Sequence, residues 1–290
     1  MSTDLINSML DNAVHIGHKR AFWSPKMRDY IYGVQNGIHV FDLYKTVSKL
    51  EEVGAILKDL SSKGKEVLII GTKIQASSLV KEVAIATGNH YIDHTWVPGF
   101  LTNFSTIKKR IATYNKLKKD VQTGELEILT KKEQAEKMKL IEKLGTSYEG
   151  VKDLRKVPDA LVIVDGRFEK LALIEAKKLG IPTYAILGTT GDIDECTNFI
   201  PGNVNSIKSI KFLLECLKPN LEKSKVVQKD VTKVERVFSK EESNTAKQLP
   251  KKPVTKFEAK PKVKKEEITE ELPEIKEETV VEEVVAEVKE

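Results

Sequence analysis

The sequence predicts an α/β fold: a doubly wound three-layer sandwich on a parallel five-stranded sheet, with an inserted α-helical hairpin and a charged C-terminal tail. Three observations carry the prediction. Short apolar runs recur, each followed by a turn and then a segment of helical period, as parallel strands joined by crossover helices require. The stretch from Leu101 to Lys156 repeats apolar residues at three-or-four spacing but is too long and too basic for one crossover. Beyond Leu221 aromatics almost vanish, while Lys, Glu, Pro and Val recur.

The first strand lies within Glu66 to Ile70, where VLII stands between polar flanks; Gly71-Thr72-Lys73 turns the chain into a helix reaching Ala86. His90 to Asp93 is the second strand. In the insertion, about residues 102–156, Ile107, Ile111, Tyr114, Leu117 and Val121 mark one helix, and Gly124 breaks it. Leu140, Ile141 and Leu144 mark a second, so the two make an antiparallel hairpin. Thr102-Asn103 offers the first helix an N-cap, and Thr130 with Glu133 a capping box for the second. Ala160 to Val164 is the third strand, followed by Asp165-Gly166-Arg167 and a helix to Leu179. Gly180-Ile181-Pro182 leads into the fourth, Thr183 to Leu187. A fifth, Asn198 to Ile200, precedes Pro201-Gly202-Asn203 and a helix from about Val204 to Leu217.

The 290 residues, 40% of them hydrophobic, suffice for a sizeable core. Their net charge of +5 conceals an asymmetry: +6 over residues 1–221, +8 over 222–265 and −9 over 266–290. We therefore divide the chain into a globular domain, 1–221, and a tail, 222–290, whose composition buries too little apolar surface to offset ordering entropy and predicts disorder. Within it, Val280 to Val288 has a helical tendency. No apolar run approaches the roughly 20 residues of a membrane span, and MSTDLINSMLDNAV lacks signal-peptide character, so a cytoplasmic protein without a membrane partner is expected. The two cysteines, Cys196 and Cys216, are expected to be reduced and structural.

Between Ala13 and Thr46, Lys19, Arg20, Lys26 and Arg28 interleave with Phe22, Trp23, Tyr30 and Tyr32, without helix or strand period. Cations for phosphate and flat rings for bases or ribose point to RNA. The insertion adds Lys108, Lys109, Arg110, Lys116, Lys118 and Lys119. Gly71-Thr72-Lys73 opens a helix, where backbone N–H groups can receive phosphate, although the other Walker residues are missing. Lys73 joins the RNA-binding set; the rival reading is an α/β enzyme holding a phosphorylated small molecule at Gly71 to Lys73, with Asp165 as base. His15 and His18 with Asp192 or Asp194 are candidate ligands for a divalent metal. Apart from that metal no cofactor is expected. No Ser or Cys nucleophile with a base stands near these carboxylates, so the chain reads as a non-enzyme.

The order of residues resembles the bacterial small ribosomal subunit (30S) protein S-two family. His15, Gly17 and His18 lead into Trp23, Pro25, Lys26 and Met27, then Tyr32-Gly33, Asn36-Gly37-Ile38-His39 and Asp42-Leu43-x-Lys45-Thr46. Trp96, Gly99, Leu101-Thr102-Asn103, Pro158 to Asp165, Glu175-Ala176-x-x-Leu179-Gly180-Ile181-Pro182 and Ile200 to Asn203 continue it, so it covers roughly residues 8 to 218. The resemblance implies a Rossmann/flavodoxin-like sandwich with a projecting coiled-coil hairpin. It also implies a structural role in translation: binding 16S rRNA at the head-body junction of the small subunit, beside other ribosomal proteins, and supporting docking of protein S-one. No homo-oligomer is expected. The chain departs from the family at Ile74 and Thr95, where arginine is usual, at Pro98, where glycine is usual, and at Gly188, where a carboxylate is usual. Trp96 reads as a plug of the core or of a hinge, ahead of a base-stacking surface.

Overall fold

The computed structural model describes residues 2–223, so the tail expected from residue 222 lies outside the described residues except for Glu222 and Lys223. Helix α1 (Ser2–Asp11) lays Met9 into the core. Next come three short strands, β1 (Ile16–Lys19), β2 (Ile31–Gln35) and β3 (Ile38–Phe41), with a 3-10 turn at Pro25–Tyr30. They form an antiparallel sheet of order β1-β3-β2.

The segment in which no strand period is expected therefore contains three short strands, a correction with a clear cause. Each strand has four or five residues, and both pairings contain a register shift that interrupts alternation. Alternation is full only in β3, with His39 and Phe41 buried and Ile38 and Val40 half-buried, and in β2 it lapses at Gln35. Asn36 and Gly37, at φ 50 and 76, close the β2–β3 hairpin, where a two-residue turn of this hand needs positive φ at both positions.

Helix α2 (Leu43–Ser62) starts at Asp42, whose carboxylate accepts the Tyr44 N–H at 3.0 Å. The remaining strands and α-helices are β4 (Val67–Ile70), α3 (Ile74–Thr87), β5 (His90–Ile92), α4 (Phe104–Gln122), α5 (Lys131–Tyr148), β6 (Ala160–Val164), α6 (Lys170–Leu179), β7 (Thr183–Leu187), β8 (Asn198–Pro201) and α7 (Ile207–Leu221). β4 to β8 form the expected five-stranded parallel sheet, of order β5-β4-β6-β7-β8. The order reverses once, between β4 and β6, the flavodoxin-like arrangement.

Alternation along buried strands splits the core into two layers. Val67, Ile69, Val162, Val164 and Ile186 face α1, α2, α3 and α7. Leu68, Ile70, Leu161, Ile163, Ala185 and Leu187 face α6 and the base of α4. Since both sides are covered, the strands read as continuous apolar runs, which made them legible.

The insertion consists of α4 and α5. Ile107, Ile111 and Tyr114 are buried with Tyr148, Val151 and Leu154, and Ile141 and Leu144 pack on the same cluster. Leu117 is half-buried and Val121 exposed, so the apolar stripe fades away from the sheet. The Thr130–Glu133 capping box is present, whereas Asn103 stands at the N-cap of α4 without a side-chain bond. Gly150 anchors the return: a Cβ there would lie 2.2 Å from the Tyr91 carbonyl oxygen.

Both cysteines are free and half-buried, and burial pushes the Cys196 thiol up to about 11. No helix among the described residues is long and apolar enough to cross a membrane.

Candidate nucleic-acid interface

At the carboxyl ends of β4 and β6 the strand order reverses, the place where open α/β sheets hold ligands. Here the chain's own side chains fill it. Thr72 donates its N–H and hydroxyl to Glu169 Oε1 at 2.8 and 2.6 Å, a carboxylate whose pKa burial raises despite those bonds. Lys73 Nζ meets Asp165 Oδ2 at 2.9 Å, the Val204 carbonyl at 3.0 Å and Asn205 Oδ1 at 2.5 Å. Asp165, at φ 65, also accepts the Phe168 N–H at 3.4 Å. The Gly71 to Lys73 turn thus has its Thr72 N–H and its cation engaged internally, by carboxylates in the place a phosphate would take. Lys73, expected among the RNA-binding cations, is 16% exposed and turned inward. Ile74, beside it, is 91% exposed and offers no charge.

The loop after β7 docks the N-terminal segment. Thr189 Oγ1 accepts the His18 backbone N–H at 3.0 Å and lies 3.1 Å from His18 Nδ1; the Thr189 carbonyl accepts the Ser24 N–H at 2.8 Å. His18 Nε2 lies 3.0 Å from Asn205 Nδ2. Burial lowers the His18 pKa; nearby Asp165 opposes this, while Lys73 and Arg167 add to it. A Cβ at position 188 would stand 2.7 Å from His18 Cε1, so glycine at this position makes room for the imidazole.

The candidate metal ligands are not brought together. Lys26 bridges Asp192 at 2.7 Å and Asp194 at 2.5 Å, and these carboxylates hold its ammonium well above the ordinary lysine range. His15 Nδ1 is buried without a partner. Among the described residues no group of three or more His, Cys, Asp or Glu is arranged to hold a metal. Lys26 therefore fastens the segment to the body while its side chain stays partly exposed.

Outward, Lys19, Arg20 and Arg28 are exposed, with Phe22 at 62% and Tyr32 at 83%. Trp23 lies over His39, ring centroids 5.1 Å apart. On α4, Lys108, Lys109, Arg110, Lys116 and Lys119 are exposed; Lys118 is half-buried, its Nζ 5.7 Å from the Tyr114 ring centroid. At about 100° per residue, Lys108, Lys109, Lys116 and Lys119 share one arc, whereas Arg110 and Lys118 leave it. Trp96 is buried against Phe100, ring centroids 5.0 Å apart, and acts as a plug.

Glu169, Thr189 and Asn205 complete the docking contacts, and no local pattern marks them, because each acts through a partner distant in sequence. A family model described as Ribosomal protein S2 matches residues 9–224.

Proposed function

Since the chain belongs to the ribosomal protein S2 family, a family of structural ribosomal proteins and not of enzymes, we propose that ribosomal RNA holds it in the small subunit through two surfaces. One is the face of the β1-β3-β2 sheet and its turn, carrying Lys19, Arg20, Phe22, Trp23, Arg28 and Tyr32. The other is the arc of Lys108, Lys109, Lys116 and Lys119 on α4, whose cations neutralise phosphates while the aromatics pack on bases or ribose. α4 and α5 act in this reading as a coiled-coil hairpin reaching into the RNA.

As a member of that family, the chain is a component of translation in a ribonucleoprotein, beside ribosomal RNA and other small-subunit proteins. The finer placement belongs to the proposal: 16S rRNA at the head-body junction, support for docking of protein S-one, and residence in cytoplasmic ribosomes. One observation carries the RNA reading: the switch-point crevice is filled by Lys73, Asp165 and Glu169, while rings and cations remain exposed on the docked segment. That distribution suits a surface for a large polyanion better than a pocket for a small phosphate ester.

Cosedimentation with small subunits in high salt, followed by a density map, tests the reading. Survival of the complex, with RNA against both surfaces, is expected. Saturable nucleotide binding by the free protein, without cosedimentation, would replace it with the enzyme reading.

A further inference from the structure

We propose that Asn205, held by Lys73, is a positioning residue that locks the N-terminal segment onto the sheet and so sets the attitude of its RNA-facing rings; this last clause rests on the RNA reading above. The argument begins with hydrogen-bond direction. The Lys73 ammonium can only donate, so the Asn205 oxygen faces it at 2.5 Å and the Asn205 amide nitrogen must face His18. That amide donates to His18 Nε2 at 3.0 Å, which assigns an acceptor lone pair to Nε2 and the ring proton to Nδ1. The Nδ1 proton then donates to Thr189 Oγ1 at 3.1 Å, the oxygen that also accepts the His18 backbone N–H.

Every partner thus has one role, fixed in turn by its neighbour, from Asp165 through Lys73, Asn205 and His18 to Thr189. These groups sit on the turn after β4, the turn after β6, the turn before α7, strand β1 and the loop after β7. They join the crevice of the large sheet to the small sheet. Phe22 and Trp23 follow β1 by a tight turn in which the Phe22 N–H donates to the Lys19 carbonyl at 2.9 Å, so the placement of β1 carries over to them. Neither apolar layer of the core includes Asn205 or His18, so loosening them leaves the body's packing in place.

Full-length Asn205→Ala is the test, because it spares the Lys73–Asp165 pair. Trypsin cleavage after Lys19 and Arg20, followed by mass spectrometry, reads the lock independently of RNA. We expect about a tenfold faster cut there, with the thermal midpoint of the body nearly unchanged, and weaker binding to small-subunit ribosomal RNA. Thr189→Val, which removes the His18 contact from the other side, should give the same cleavage phenotype; Asn205→Ala with Thr189→Val should add little, as members of one chain do. Unchanged cleavage in both single variants would overturn the lock. Faster cleavage with unaltered RNA affinity would support the lock and tell against the RNA role of the segment.

Discussion

Trp96 donates its indole N–H to Glu175 Oε1 at 3.0 Å, tying the loop that enters the insertion to helix α6. The same carboxylate accepts the backbone N–H groups of Gly99, Leu101 and Thr102 at 2.8, 2.9 and 3.1 Å and the Thr102 hydroxyl at 3.2 Å. One side chain thus gathers five donors, of which the Trp96 indole and the Leu101 N–H lie in bonds fully buried from solvent.

Glu175→Gln should destabilise the protein by about 2–4 kcal/mol, since a carboxamide turns two of its own donors toward N–H groups and forfeits the charge-assisted bonds. Urea denaturation measures it. Burial pushes the Glu175 carboxyl up, but the bonds from Trp96, Thr102, Gly99 and Leu101 outweigh it and leave the pKa below the ordinary value. A depressed carboxylate stabilises above its unfolded pKa, near 4.5, and loses that contribution as pH falls through the folded value. Thermal midpoints measured from pH 7 down to 3 should fall less steeply in Glu175→Gln than in the parent chain.

The body does not end at Leu221. Lys223 donates its N–H to the Thr87 carbonyl at 3.4 Å and pairs with Glu66 at 2.8 Å, while His90 meets the same carboxylate at 3.0 Å. These partners, His90 first, hold Glu66 down at about 2 against its burial. Truncation after Leu221 should still leave a folded protein, but one less stable by on the order of 1 kcal/mol than truncation after Lys223. Most of that gap should close as pH drops from about 4.5 toward 2, where Glu66 becomes neutral. Equal stability of the two truncations at pH 7 would refute the tether.

Replacing Lys108, Lys109, Lys116 and Lys119 together by Ala should lower the log–log salt slope of RNA binding by up to about 3.6, at roughly 0.7 to 0.9 per lost phosphate contact. Arg110 and Lys118, off that arc, should together change the slope by less than about 1. Filter binding across a salt series distinguishes the two sets.

Gly188→Ala places a methyl 2.7 Å from His18 Cε1 and should push the imidazole out of its seat. The expected signature is tryptic nicking near Lys19 with little change in core stability. Gly150→Ala should differ, costing about 1–3 kcal/mol, because the obstacle is the Tyr91 backbone oxygen at 2.2 Å and the loop itself must shift.

The parallel sheet was legible because runs such as VLII and ALVIV are buried on both faces and bracketed by Gly, Pro or Asp. The capping box was legible because Thr130 and Glu133 are neighbours in sequence. The small N-terminal sheet was not read: its strands are short and its registers shift, although Asn36-Gly37 is a direct hairpin signal. The spacing of Val47, Leu50, Val53 and Leu57 is the equivalent signal for α2. The docking contacts lay beyond any local pattern, since Lys26 meets a residue 166 positions away and Lys73 one 132 positions away. Composition assigned both lysines to RNA, and only tertiary structure shows that one is turned inward and the other tethers a loop.

Helix α4, at 19 residues, is about 28 Å long, so it works as a lever with its fulcrum near the Glu175 carboxylate. Each degree of play at that fulcrum moves the far end, where Lys119 stands, by about half an ångström. Angular backlash is opposed at entry by five hydrogen bonds and at exit by the contact of Gly150 with Tyr91, on separate elements of the body. Aim at the lever tip is thus a property of its bearing, so a carboxylate in α6, together with the Gly150–Tyr91 contact, sets where the most distant cations of α4 point.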